Sequence, residues 1–169
     1  MKHYGTDDEL VTDEYVFFWN GICSQWYTSP FEEDGIKYNT AEQYMMAQKA
    51  LVFKDTEIFK QIMKATSPRE QKALGRKIKN FSDEVWDKHK IDVVTQGTYL
   101  KFSQDRTIKE WLMSFGTREF VEASPYDKVW GIGLNKEDER ALNKETWEGE
   151  NLLGVCLNKV RDRFLDDAN

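Results

Sequence analysis

The segment from Thr40 to Phe53 constrains the fold more than any other part of this 169-residue chain. Projected as an α-helix at about 100° per residue, its apolar side chains extend almost all the way round the axis. A helix with that distribution is buried, so other elements must pack around it. The sequence therefore predicts a globular fold built around this helix.

Sequence signals for helix starts occur at the beginning of this segment and at several positions after it. Thr40 with Gln43 matches a capping box, in which two side chains satisfy backbone amides at a helix start. Ser67 with Glu70 matches a second one, and a proline follows Ser67 at the first helical position. The remaining starts are predicted at Asp55, at Ser82 or Asp83, and at about Asp105. A last helix carries apolar residues on one side, from Leu152 to Phe164.

Three short segments favour β-structure. Residues Tyr15–Trp19 and Glu119–Ala123 are predicted strands, and Asp34-Gly35 favours a type I′ hairpin between two more. The predicted fold class is therefore mainly α, of the α+β type with a few short strands. We expect one compact domain over residues 14–169, preceded by a flexible N-terminal segment of residues 1–13.

The composition excludes several classes of function. With 24 basic and 30 acidic residues the net charge is −6, which argues against stable binding of nucleic acid. No long apolar run predicts export or membrane insertion, so a cytoplasmic protein is expected. The two cysteines, Cys23 and Cys156, and the two histidines, His3 and His89, have no metal-ligand spacing, so no metal and no other cofactor is predicted. Cys156 is expected to be a buried apolar residue.

Glu42 and Lys49 are the first candidates for chemistry. Seven residues apart on the Thr40–Phe53 helix, they share one face and lie roughly 10 Å apart along the axis. Each could pair with another charge at the edge of the core. Alternatively, both could border a cleft that a ligand spans, where burial would lower the pKa of Lys49 and make its amine nucleophilic.

Two further segments are candidates for binding. The loop Asp127–Gly133 combines a carboxylate, Trp130 and two glycines. It could be an ordinary turn with a packed tryptophan, or Trp130 could stack on a base while the glycines let backbone approach a sugar or phosphate. Arg76 could bind phosphate with two hydrogen bonds, or it could belong to a solvated helix face.

A set of motifs, in order along residues 17–165, resembles the NADAR family, also called YbiA-like or DUF1768. The set includes Thr40-Ala41-Glu42-Gln43-Tyr44 continuing to Gln48-Lys49, Leu74-Gly75-Arg76, Trp86-Asp87, Lys101-Phe102, the stretch Val121–Gly133, and Gly149–Gly154. The resemblance implies a mainly helical single domain that hydrolyses N-glycosidic bonds without a metal or another cofactor. It implies a small, nucleotide-like substrate: a phosphorylated aminopyrimidine intermediate of riboflavin synthesis, or, in related members, ADP-ribose attached to guanine.

Residue by residue, the resemblance implies a catalytic role for Glu42, Lys49 and Asp127, with Lys49 attacking the anomeric carbon of the sugar. Substrate binding is expected from a second set: Trp19, Ser24, Arg76, Trp86, Trp130 and Gly131. The chain departs from the family at Ser24-Gln25-Trp26, where relatives usually carry Ser-Asn-Phe, and this leaves the base preference open.

Two functions of other classes remain as alternatives. The chain could bind ADP-ribose or a nucleotide without cleaving it, or it could be a helical interaction protein in which the charged stripe is structural. The sequence leaves the oligomeric state open.

Overall fold

The computed structural model describes residues 6–169. Within that range lie six α-helices, five short strands and two turns of 3₁₀-helix, which confirms the predicted α+β fold, with far more helix than strand. In chain order they are β1 (Glu9–Val11), β2 (Tyr15–Phe18), β3 (Thr28–Glu33), β4 (Ile36–Thr40), α1 (Ala41–Val52), α2 (Thr56–Lys64), α3 (Pro68–Gly75), α4 (Asp83–Ser103), α5 (Arg106–Met113), β5 (Glu119–Glu122), the 3₁₀ turns Glu139–Leu142 and Lys144–Thr146, and α6 (Leu152–Asp167).

The chain divides into two compact units. Residues 25–105 form the first, which we call the helical unit, and it contains β3, β4 and α1–α4. The second, the terminal unit, joins the chain up to Ser24 with residues 106–169. The expectation of one domain over residues 14–169 stays a prediction.

The terminal unit contains a three-stranded sheet in the order β1-β2-β5. Strand β1 is antiparallel to β2, and β2 is parallel to β5 with Phe17 opposite Val121. One face buries a cluster consisting of Phe17, Val121, Ala123, Ile132, Leu134 and Ala141. Within the N-terminal segment, the backbone of residues 9–11 pairs with β2 as strand β1, and the flexibility of the segment stays a prediction. Residues 1–5, which include His3, lie outside the described range.

The hairpin of the helical unit has the predicted turn. Asp34 and Gly35 both have positive φ, 51° and 81°, as a type I′ turn requires. The turn sets the register in which Glu33 faces Ile36 across β3 and β4.

Helix α1 is the centre of the helical unit and packs against α2, α3 and α4. Eight of its twelve residues are buried, as the apolar distribution predicts. Thr40 caps it by accepting a hydrogen bond from the Gln43 amide at 3.0 Å. The reciprocal bond comes from Asn39, whose amide donates to Gln43 Oε1 at 2.8 Å.

Two glycines allow close approach to α1. A Cβ on Gly75 of α3 would overlap Met46 Sδ, and one on Gly97 of α4 would lie 2.6 Å from the Tyr44 ring. Helices α3 and α4 therefore pack closely on α1. Lys49 belongs to α1, the helix that makes both contacts. The predicted starts of α2, α3, α4 and α5 are confirmed within one or two residues.

Candidate active site

The helical unit brings Glu42 and Lys49 together on α1. Glu42, in the first turn, is only 3% exposed. Its backbone amide donates to the Gln25 carbonyl at 2.9 Å, so the segment before β3 lies against the start of the helix. A carboxylate is thus held away from solvent, where few groups other than a fixed partner or a substrate can reach it.

Lys49 lies one turn before the end of α1 and is partly buried. Its Nζ lies 3.4 Å from the Gly75 carbonyl, to which it donates a hydrogen bond. The same Nζ lies 4.5 Å from the centroid of the Phe81 ring and 5.9 Å from that of Trp86. One backbone carbonyl and two aromatic rings therefore form much of the environment of this amine.

Burial lowers the pKa of Lys49 below its ordinary value, and this is the largest influence on it. The carboxylates of Glu42 and Asp83 oppose the shift because they favour the ammonium, whereas the nearby Arg76 guanidinium reinforces it. The net result is a lysine that is more readily neutral than one in water. A neutral amine is the form that acts as a nucleophile.

Arg76 and Trp86 complete the predicted residues in the helical unit. Arg76 is the C-cap of α3, and its side chain is exposed. Trp86 lies in the first turns of α4 and is 8% exposed. The structure thus brings three other predicted residues, Glu42, Arg76 and Trp86, around the amine of Lys49.

Sequence reasoning missed three contributors to this environment: Gly75, Phe81 and Asp83. Gly75 contributes a backbone carbonyl, which no side-chain pattern reveals. Phe81 lies between two helices, outside any periodic segment. Asp83 was identified only as a possible helix start. An acidic residue is favourable at that position because its charge complements the helix dipole, and this was the only signal for it.

The other predicted site residues belong to the terminal unit. Asp127 Oδ1 accepts hydrogen bonds from the Val129 and Trp130 amides at 2.9 and 2.8 Å. This carboxylate therefore shapes its own loop, as aspartates often do in turns. Trp19 is 40% exposed, and its ring lies 5.6 Å from that of Tyr126. The substrate role of Trp19, and those of Ser24, Trp130 and Gly131, stay predictions.

The loop Asp127–Gly133, which we call the glycine loop, is held by its backbone. The carbonyls of Lys128, Val129, Trp130 and Gly131 accept bonds at 2.9 to 3.1 Å from the four consecutive amides of residues 150–153. A Cβ on Gly149 would overlap the Gly131 carbonyl oxygen and lie 2.8 Å from Lys128 Cα. Only glycine allows this approach, so the motif that begins at Gly149 fixes the loop that carries Trp130.

Within residues 6–169, no three His, Cys, Asp or Glu side chains are arranged to hold a metal ion. His89 is exposed on α4, and both Cys23 and Cys156 are buried and belong to no disulfide among these residues. Over the same residues, no helix combines the length and the apolar character needed to span a bilayer.

The sequence model of the NADAR domain matches residues 17–165. N-glycosidase R617 of Acanthamoeba polyphaga mimivirus is 44% identical, covering 90% of this chain and 98% of its own length. Protein irg-1 of Caenorhabditis elegans is 36% identical, covering 96% and 84%. The chloroplastic riboflavin biosynthesis protein PYRR of Zea mays is 32% identical over 78% of this chain and 20% of its own length.

Among solved structures, the NMR structure of the E. coli protein YbiA has the same fold. It superposes with a TM-score of 0.76, covering 96% of this chain and 91% of YbiA, at 23% sequence identity. The confirmed fold class is thus that of YbiA, in accordance with the family resemblance of the motifs.

Proposed function

Because the chain belongs to the NADAR domain family, we propose that it is a hydrolase that cleaves an N-glycosidic bond between a sugar and a base. Relatives named as N-glycosidases support this class of reaction. The observation that carries the proposal is the surroundings of Lys49, a partly buried amine with a lowered pKa on the same helix as the buried Glu42 carboxylate.

Departure of the base leaves positive charge on C1′ and on the ring oxygen of the sugar. A carboxylate held near that charge in a water-poor site stabilises the transition state. Glu42 is the best candidate for this role because its side chain is almost fully buried on α1. Asp127 is proposed as a second catalytic carboxylate, using the oxygen that does not accept the two loop amides.

Lys49 supplies the nucleophile. Its neutral amine attacks C1′ while the C1′–N bond breaks, and the electron pair of that bond stays on the base nitrogen, which takes up a proton. The new glycosylamine loses a proton from Nζ. Its lone pair then forms a C=N bond as the C1′–O4′ bond breaks, and O4′ takes up a proton. The product of this first stage is an iminium on Lys49 with the ring-opened sugar.

Water completes the reaction. It adds to C1′ of the iminium, after which the C1′–Nζ bond breaks, the amine recovers its proton, and the sugar leaves as the aldehyde that closes to a hemiacetal. The net reaction consumes one water and needs no oxidant, metal or cofactor. Two smaller barriers replace one difficult displacement.

The proposed substrate is a base linked to phosphoribose, such as the aminopyrimidine intermediates of riboflavin synthesis. The family resemblance supports this class, as does the likeness to a maize protein named for riboflavin biosynthesis. Arg76 has an exposed side chain whose charge contributes to lowering the pKa of Lys49, and a guanidinium suits a phosphate. Trp86 is proposed to contact the planar base. The substrate-binding roles that the family resemblance implies for Trp19, Ser24, Trp130 and Gly131 remain part of the proposal. A cytoplasmic location accords with such a substrate.

One experiment tests the reaction and its substrate together. The purified protein is incubated with a phosphoribosyl aminopyrimidine and, separately, with ADP-ribosylated guanosine, and the free base is measured by mass spectrometry. We expect release from the first substrate. Release from the second alone would shift the assignment to removal of ADP-ribose from guanine. Tight binding of ADP-ribose with no release from either would contradict the enzyme and favour the binding module.

Variants test the assigned residues. We expect Lys49→Ala to slow base release by about a thousandfold or more, and Glu42→Gln by about a hundredfold, at unchanged far-UV circular dichroism. Leu51→Ala is the matched control, because that side chain is 45% exposed and lies on another face of the same helix. Unimpaired turnover in both charged variants would contradict the mechanism.

A further inference from the structure

Phe81 occupies an unusual position for an apolar residue. It lies in the connection between α3 and α4, and 40% of its surface is exposed. Single exposed aromatic residues are common and by themselves carry no meaning. Here, however, the ring lies over the Lys49 ammonium, with its centroid 4.5 Å from Nζ. The ring therefore contacts the amine that is proposed to be the nucleophile.

The connection holds this ring in place at several points. The Lys79 amide donates to Asp55 Oδ2 at 2.9 Å, and the other carboxylate oxygen of Asp55 caps α2. Asn80 then adopts a left-handed conformation with φ of 61°, which turns the chain directly before Phe81. The Phe81 ring also lies 5.2 Å from that of Phe53, the C-cap of α1. An exposed ring is thus fixed by backbone on one side and by an aromatic neighbour on the other.

We propose that Phe81 is a positioning residue that covers the Lys49 amine and limits the access of water to it. The inference rests on the proposed function, in which neutral Lys49 attacks the sugar. Phe81 touches no reacting atom in this account. It acts through Lys49 by keeping the amine poorly hydrated between substrate encounters.

Two physical effects of the ring oppose each other. An aromatic face attracts an ammonium, which favours the charged lysine. The same ring displaces water, which favours the neutral amine, and burial is the largest influence on the pKa of Lys49. The charged groups that face Lys49 are Glu42 of α1, Asp83 of α4 and Arg76 at the end of α3, and removal of the ring leaves all three in place.

Pulse labelling measures the effect on Lys49 without relying on turnover. The full-length protein is exposed briefly to formaldehyde and cyanoborohydride at a series of pH values, and methylation of Lys49 is measured by peptide mass spectrometry. The exposed Lys60 on α2 serves as an internal reference. The variants are Phe81→Ala, which removes the cover, Phe81→Leu, which keeps an apolar cover without a ring, and Leu51→Ala as control.

We expect the labelling midpoint of Lys49 to rise in Phe81→Ala, so that labelling at pH 7 falls by about three- to tenfold while Lys60 is unaffected. Leu51→Ala should keep the wild-type midpoint. Phe81→Leu keeps the cover but loses the attraction of the ring for the ammonium, so its midpoint should equal the wild-type value or lie slightly below it. An unchanged or lower midpoint in Phe81→Ala would overturn the inference. So would a midpoint in Phe81→Leu that rises as far as in Phe81→Ala, because it would show that an apolar cover does not account for the effect.

The pH profile of base release separates this inference from the proposed function. We expect the acidic limb of the profile to move upward in Phe81→Ala together with the labelling midpoint, and to be restored in Phe81→Leu. If Lys49→Ala releases base normally, the lysine mechanism fails whatever the labelling shows. If Lys49 is essential but the midpoint does not respond to Phe81, only the role of Phe81 fails.

Discussion

The two units of the molecule build their candidate functional groups in different ways. In the helical unit, Glu42 and Lys49 are side chains on one regular helix, and burial and neighbouring charged side chains shift the pKa of Lys49. In the terminal unit, the glycine loop is irregular, and its shape comes from backbone hydrogen bonds to residues 150–153. One arrangement depends on which side chains are present, and the other on how closely two backbones approach.

This contrast predicts different responses to substitution. A side-chain contact can relax when a flexible neighbour moves, because rotamers change at modest energy. Backbone packed on backbone has no such freedom, so an added atom displaces the chain. We therefore expect added methyl groups to be more harmful in the terminal unit than at comparable positions in the helical unit.

The largest effect on stability is expected for Gly149→Ala. The added Cβ would overlap the Gly131 carbonyl, so the variant should lose about 3 kcal/mol in free energy of unfolding by urea denaturation. Gly116→Ala is the matched control in the same unit, because its φ is 66° but no atom lies within 4 Å of an added Cβ. That control should lose only about 1 kcal/mol. Equal losses of stability in the two variants would show that contact with the Gly131 backbone does not cause the effect of Gly149→Ala.

In the helical unit, Gly75→Ala should cost less, about 1–2 kcal/mol. The added Cβ would meet Met46 Sδ, which is near the end of a flexible side chain. A double-mutant cycle with Met46→Ala checks the cause, because the two changes together should cost less than the sum of the single ones. Strictly additive losses would show that Met46 does not cause the strain.

Two substitutions of Asp127 distinguish its hydrogen bonds within the glycine loop from its proposed catalytic role. Asp127→Asn keeps an oxygen that can accept the Val129 and Trp130 amides, whereas Asp127→Ala removes it. We expect the alanine variant to lose about 1 kcal/mol in stability and the asparagine variant to lose less. Base release should fall about tenfold or more in both. Normal turnover in Asp127→Asn would assign the carboxylate to the loop alone.

The smallest expected effect is on the pH dependence of stability. Burial lowers the pKa of Lys49 in the folded protein, whereas in the unfolded chain this lysine has the ordinary pKa of 10.5. As pH rises, the folded protein therefore loses this proton at a lower pH than the unfolded chain. Between the two values the unfolded state binds more protons, so stability rises with pH. Relative to Lys49→Met, the wild type should therefore become more stable as pH rises toward 10.5. Urea midpoints over this range measure the difference, and a difference that falls with pH would contradict the lowered pKa.

The sequence predicted what depends on local pattern. Helix α1 and its burial follow from its apolar residues, and Thr40, Asp55 and Ser67 mark helix starts because their side chains accept backbone amides one turn later. The hairpin at Asp34-Gly35 follows from the positive φ that this dipeptide tolerates.

What depends on contacts between distant residues could not be predicted. Strand β1 has only three residues, too few to show an alternating pattern, and its backbone pairs with β2. The buried face of α4 includes Gly97, Thr98 and Lys101, which no apolar periodicity identifies. At the candidate site, the sequence placed Glu42 and Lys49 on one face but gave no sign of Phe81, because a residue between helices carries no periodic signal.

The most direct test of the account is to trap Lys49 during turnover. The wild-type protein and Lys49→Ala are incubated with a phosphoribosyl aminopyrimidine in the presence of borohydride, digested, and analysed by mass spectrometry. Attack by Lys49 predicts a reduced sugar adduct on the wild-type peptide that contains residue 49, and no adduct on the variant. Base release by the wild type with Lys49 unmodified, or an adduct on another lysine, would contradict the account.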